Sequence, residues 1–344
     1  MSDYEQDFAD LPRAYNKPVH SARFRQLPEH FQVDEELDFK PCGHGDHLYL
    51  KIRKTNTNTH WLMEQLASKT GLRRVDIGYA GRKDRFAVTS QWFSLHLPGH
   101  KTINLSDFQT DEYQVIEQIR HTHKLRTGEL RGNYFKLQLV DFKGDYGDFQ
   151  KQTEIIARDG FPNYFGPQRF GHNFSNIDKA RNMLAGKSRV RDRNKRSIYL
   201  SAARSFLFNL VLAKRIELGI WQKPIAGDRF WDHTENRLTD TLEHNDELLS
   251  RLKQGELSIT GPMFGDGESH VSDAALELEN ESLATESDLC KGIANSRVKW
   301  QRRPLRSVPE NLCCSKNEQG VEITFFLNSG SYATSLLREL LMPG

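Results

Sequence analysis

Strand-like alternation stands at both ends of this 344-residue chain, with the long helical stretches between. Residues 75–80 form a short strand candidate. Over 91–97, Trp92, Ser94 and His96 fall on one side and Phe93, Leu95 and Leu97 on the other. Phe135, Leu137 and Leu139 alternate likewise, and 321–327 repeats the pattern near the end. Helical spacing marks 59–70, closed by Gly71, then 149–158, 176–185 before Gly186, 201–218 ending at Gly219, and a closing helix over 332–341. Length predicts roughly two domains. Strands split by a helix-rich middle predict one domain inserted into another, a mixed α/β pair of α+β class. No repeat of solenoid period is present.

Net charge is +2, which argues against a strongly basic nucleic-acid binder. The average hides two basic blocks. Residues 51–100 carry 9 basic and 3 acidic side chains, and 151–200 carry 11 and 4. In the second block, 187–196 places six basic residues in ten, including Arg189, Arg191, Arg193 and Arg196. Such a run reads as a phosphate-contacting surface or as a solvated face. The nearby rings of Phe161, Tyr164, Phe165 and Phe170 favour RNA if they stack on unpaired bases, and would otherwise be core.

No segment approaches the roughly 20 apolar residues of a membrane span, and the acidic N-terminus shows no secretory signal. The four cysteines include no CxxC pair, which fits a reducing compartment. A cytoplasmic protein is expected. The segment Cys42-Gly-His44-Gly-Asp46-His47 lacks a partner pair at zinc-like spacing and reads as a glycine-rich loop, so no metal is predicted. P-loop and GxSxG motifs are absent.

In Gly81-Arg82-Lys83-Asp84-Arg85, a carboxylate sits among three cations between two predicted strands. Nearby cations favour the ionised carboxylate, which can act as nucleophile or base. The bland alternative is a solvated turn. A rival reading makes Asp76-Ile-Gly78-Tyr-Ala-Gly81 the glycine turn of an adenosylmethionine- or dinucleotide-binding fold. That turn needs a helix after it, and the next strand candidate begins about ten residues on, too soon for a parallel crossover.

Collinear motifs then carry a resemblance. They are Phe24-Arg25 through Pro28-Glu29, Phe31 and Glu35; Gly78-Tyr-Ala-Gly81-Arg-Lys83-Asp84; His123-Lys124 through Gly132-Asn133-Tyr-Phe135; Pro162-Asn163-Tyr164-Phe165-Gly166 through Gln168-Arg169-Phe170-Gly171; Arg191-Asp-Arg193-Asn-Lys-Arg196; and Gly330-Ser-Tyr332-Ala333. With these the chain resembles the TruD family of tRNA pseudouridine synthases. The resemblance implies a pseudouridine-synthase-like catalytic domain over 1–158 and 307–344, with a mixed sheet, interrupted by an inserted TRUD domain over 159–306. It implies isomerisation of uridine to pseudouridine in tRNA, at position 13 of the D arm, without a cofactor.

Carried over residue by residue, the resemblance makes Asp84 the nucleophile and Arg25 its basic partner, where family members often carry lysine. It puts Phe31, Asn133, Phe135 and Tyr332 around the target base. Lys83, Arg85, Arg169 and the arginines of the second block become candidate RNA contacts. Arg204 and Asn209, on the apolar helix, are expected to tie that helix to neighbouring loops. The implied partner is tRNA, with no membrane, no obligate protein partner and a monomer by default. The competing readings are a non-catalytic tRNA-binding or chaperone protein on the same fold, which would be expected to have lost Asp84, and an RNA methyltransferase at the glycine turn.

Overall fold

The computed structural model describes residues 8–15, 17–99, 103–240, 242, 243 and 245–342. Two compact units emerge. A sheet unit is formed by Val19–Asp159 and Pro309–Gly330, and a helical unit by Gly160–Val308 with the N-terminal segment up to Pro18 and the C-terminal segment from Ser331.

The sheet unit holds nine strands: β1 (Ser21–Arg23), β2 (Phe31–Glu36), β3 (His47–Thr55), β4 (Ile77–Tyr79), β5 (Val88–His96), β6 (Tyr113–His121), β7 (Gly132–Lys143), β8 (Glu310–Asn317) and β9 (Gly320–Asn328). Their order is β8-β9-β7-β2-β5-β3-β6, with β1 on β7 and β4 on β5. Only β2 and β5 run parallel; the other pairings are antiparallel. Strand β5 lies inside the sheet and is buried on both faces except at His96, as an interior strand covered on both sides must be. Helix α1 (Thr59–Thr70) begins where Asn58 accepts the Trp61 N–H at 2.7 Å and ends at Gly71, whose φ of 70° suits glycine. Leu62, Met63 and Leu66 pack it on Leu50, Ile52 and Phe93. Helix α2 (Tyr146–Asp159) completes the unit. No helix follows the Gly78–Gly81 turn: β4 returns antiparallel on β5, which removes the glycine-turn nucleotide site.

In the helical unit, α3 (Ser175–Leu184), α4 (Arg193–Glu217), α5 (Asp246–Gln254), α6 (Asp273–Leu283), α7 (Ser287–Ala294) and α8 (Ala333–Leu340) surround an antiparallel sheet of Arg237–Leu238, Phe230–Asp232, Leu257–Met263 and Gln301–Pro304. Helix α4 is central. Phe208, Leu212 and Ile216 enter one core with Phe165, Phe230 and Ile259, while Ala203, Leu207 and Val211 enter another with Leu278, Leu289 and Ile293. A helix apolar on opposite faces is a buried helix. It starts eight residues before the expected 201, because Asp192 caps it by accepting the N–H groups of Asn194 and Lys195. Asn209 brackets Phe165 through both its N–H and C=O, and Arg204 donates to the carbonyls of Met263, Phe264 and Lys299, so both residues tie the helix to loops as expected.

Two expectations need correction. Phe161, Tyr164, Phe165 and Phe170 are buried, not stacking platforms, and the last three fill the core beside α4. The chain ends, expected with 19–158, pack in the helical unit instead. Ser335 Oγ donates to the Tyr164 carbonyl at 2.9 Å, Tyr164 Oη donates to the Pro12 carbonyl at 3.1 Å, and Glu339 accepts the Ala14 N–H at 3.2 Å.

Candidate active site

Register assembles the site on one face of the sheet unit. Val33 lies opposite Phe135 and Glu35 opposite Asn133, while Val33 is also level with Thr89 and Thr89 with Lys54. Level residues share a face and alternate residues return to it. Phe31, Glu35, Asn133, Phe135, Gln91 and Lys54 therefore project together. Gly132 admits this register, since a Cβ there would run into the Leu327 carbonyl.

The Asp84 loop crosses the end of this face, and four side chains clamp it. Gln91 holds the Gly81 carbonyl. Thr59 accepts the Lys83 N–H at 3.0 Å and donates to Gln91 at 2.9 Å. Glu35, fully buried, pairs with the Lys83 ammonium while accepting the Trp92 N–H at 3.1 Å. Lys54 donates to the carbonyls of Asp84, at 3.0 Å, and Thr57, at 2.5 Å. Burial pushes the Lys54 pKa down to about 8, against the pull of Asp84. This clamp corrects one expectation: Lys83 is not an RNA contact, because its ammonium is buried on Glu35.

The Asp84 carboxylate accepts from Arg25 Nη2 at 2.7 Å, with the side chains 47% and 34% exposed respectively. The pair is open to solvent and so to an incoming substrate. Arg25 has φ 62°, the left-handed region that non-glycine residues avoid, and its guanidinium lies 3.8 Å from the centre of the Phe31 ring. The ion pair and the ring contact hold it there. Phe31 meets Phe135 edge-on, and Phe135 stacks on Phe325. The Asn133 Oδ1 is buried and has no hydrogen-bond partner among the described residues.

Tyr332 and Arg169 belong to the helical unit, where Arg169 Nε donates to Tyr332 Oη at 2.9 Å and Tyr332 meets Phe165 edge-on. Arg85, Arg189, Arg191, Arg193 and Arg196 are exposed. Lys54, Thr59 and Gln91 were missed by sequence reasoning. Thr59 and Gln91 sit in segments that read as ordinary helix and strand, Lys54 in a strand whose charges hide it, and only register reveals their direction.

A family model for tRNA pseudouridine synthase D (TruD) matches residues 13–189 and 184–340. The chain belongs to the TruD family. Similarity to individual members is equally broad: tRNA pseudouridine synthase D of Methylococcus capsulatus is 39% identical over 335 residues, covering 97% of this chain and 95% of the relative. The enzyme of the same name from Aliivibrio fischeri is 39% identical over 343 residues, covering 99% and 96%. A crystal structure of a Methanosarcina mazei protein assigned as TruD superposes with a TM-score of 0.73 over 98% of each chain at 20% identity, which supports the α+β fold. Among the described residues, no helix is long and apolar enough to cross a membrane.

Proposed function

We propose that this TruD-family protein isomerises uridine 13 in the D arm of tRNA to pseudouridine, with Asp84 as nucleophile and no cofactor. The observation that carries the reading is the solvent-open Arg25–Asp84 pair at 2.7 Å, on a clamped loop beside the face that bears Phe31, Phe135 and the unpartnered Asn133 oxygen. The reaction breaks the C1′–N1 bond, turns the uracil, and forms C1′–C5. The C5 proton leaves to solvent and N1 gains one, so atoms balance. An ionised carboxylate can initiate this by adding to the ring or by attacking the sugar. Arg25 orients that carboxylate through its charge-assisted Nη2 hydrogen bond.

The target uridine must leave its stack, at a cost of a few kcal/mol. The Asn133 carbonyl oxygen is an acceptor suited to the uracil N3–H, and pairing it would relieve a buried unsatisfied group. Phe135 supplies apolar contact to the ring. The exposed run from Arg189 to Arg196 is the proposed phosphate-contacting surface, and Arg85 adds a cation beside the loop.

Asp84→Asn is expected to abolish tritium release from tRNA labelled at uridine C5 while tRNA binding stays within a few-fold of wild type; retained turnover sinks the assignment. Arg25→Ala is expected to slow release by about two orders of magnitude or more, in the range that loss of an oriented catalytic group produces. An unchanged rate would remove Arg25 from the site. Mapping pseudouridine in bulk tRNA from cells with and without the gene tests position 13 directly.

A further inference from the structure

Lys54 is a cation in a place that does not require one. It is fully buried, and its ammonium donates to two main-chain carbonyls, those of Asp84 and Thr57. Among the described residues, no carboxylate lies within 4.0 Å of it. Burying an unpaired ammonium is costly, and a neutral donor could satisfy either carbonyl. The adjacent Lys83 shows the usual solution, a buried carboxylate partner in Glu35. For Lys54, the negative charge that favours its protonated form is that of Asp84 itself.

We propose that Lys54 is a positioning residue for the isomerisation: from beneath the loop its ammonium holds the Asp84 main chain in place and presents a second positive charge, besides Arg25, to the reactive carboxylate. The two cations divide the task. Arg25 meets the carboxylate from the solvent side and must yield room to the substrate, whereas Lys54 stays under the loop throughout. Removing it lets the Asp84 carbonyl seek another donor and lets the carboxylate drift, and a misplacement of about 1 Å is enough to cost on the order of 100-fold in rate.

The role given to Lys54 rests on Asp84 being the nucleophile, so the test separates the two. Single-turnover tritium release, tRNA Kd and thermal unfolding are measured for wild type, Asp84→Asn and Lys54→Met. The expected result is a rate at least about 100-fold lower in Lys54→Met, with tRNA Kd within threefold and cooperative unfolding kept. A Lys54→Met rate within threefold of wild type, beside an inactive Asp84→Asn, overturns the Lys54 inference alone. Turnover by Asp84→Asn overturns the nucleophile reading whatever Lys54→Met does. If Lys54→Met fails to unfold cooperatively, Lys54→Gln, which keeps one donor for the Asp84 carbonyl, is judged by the same rate and Kd criteria. If neither variant folds, Lys54 is a stability element and the proposal falls.

Discussion

The two basic blocks look alike as composition, but the first sinks two of its nine basic side chains beneath the Asp84 loop, whereas the run at 187–196 in the second keeps all of its own at the surface. In 51–100, Lys54 and Lys83 are buried under the Asp84 loop, one on carbonyls and the other on Glu35. In 187–196, every basic side chain is exposed, and the block ends in the first turn of α4. Each buried cation is held by fixed partners, because a low-dielectric surrounding penalises an unsatisfied charge. Exposed cations are free to neutralise phosphates, and salt screens them. A count of positive charges does not distinguish the two.

That contrast can be broken at its buried end first. Glu35→Ala leaves the Lys83 ammonium buried without its carboxylate, and is expected to destabilise the protein by about 3–5 kcal/mol, the usual cost of removing one partner of a buried pair. Urea unfolding measures it. A loss below about 1 kcal/mol would mean that Lys83 finds water as readily as an exposed lysine does, and the contrast between the blocks would disappear.

The exposed end should respond in binding instead. Replacing Arg191, Arg193 and Arg196 together by Ala is expected to weaken tRNA binding by about 10- to 100-fold at moderate salt. The salt-dependence slope should fall by up to about one for each phosphate that is no longer neutralised. Single-turnover rate at saturating tRNA should hold. A fall in that rate with an unchanged slope would place these arginines with the catalytic group.

The smallest expected effect is a pH dependence of stability. The folded state releases the Lys54 proton near pH 8, while the unfolded chain holds it to about 10.5. The unfolded state then binds more protons, so stability rises with pH above about 8, by at most about 1.4 kcal/mol per pH unit from this group. Cys290 opposes this from about pH 9, because burial raises its thiol from 9.0 to about 11. Unfolding measured between pH 8 and 9 should therefore show a positive contribution that Lys54→Met removes. Equal slopes in the two proteins would mean that Lys54 does not titrate as a buried lysine.

Much of the chain is legible locally. Helix α1 ends at Gly71 as read, and β7, β9 and α8 lie within a few residues of their expected positions, because periodicity and caps are local signals. Strand β3 escaped notice: Lys51, Arg53 and Lys54 interrupt its apolar pattern, and a charged residue reads as solvent-facing unless its partners are known. The run at 187–196 likewise hid the start of α4, since its first turn is polar and its apolar face begins later.

By itself the sequence determined the family, the α+β class and the candidates Asp84 and Arg25, all of which are written in motifs of contiguous residues or in local periodicity. Tertiary structure alone decided that Lys83 faces inward, that Lys54, Thr59, Gln91 and Glu35 hold the loop, and that the chain ends join the helical unit. Those facts depend on which strands become neighbours and in what register. A shift of one residue in a strand would turn its side chains to the opposite face.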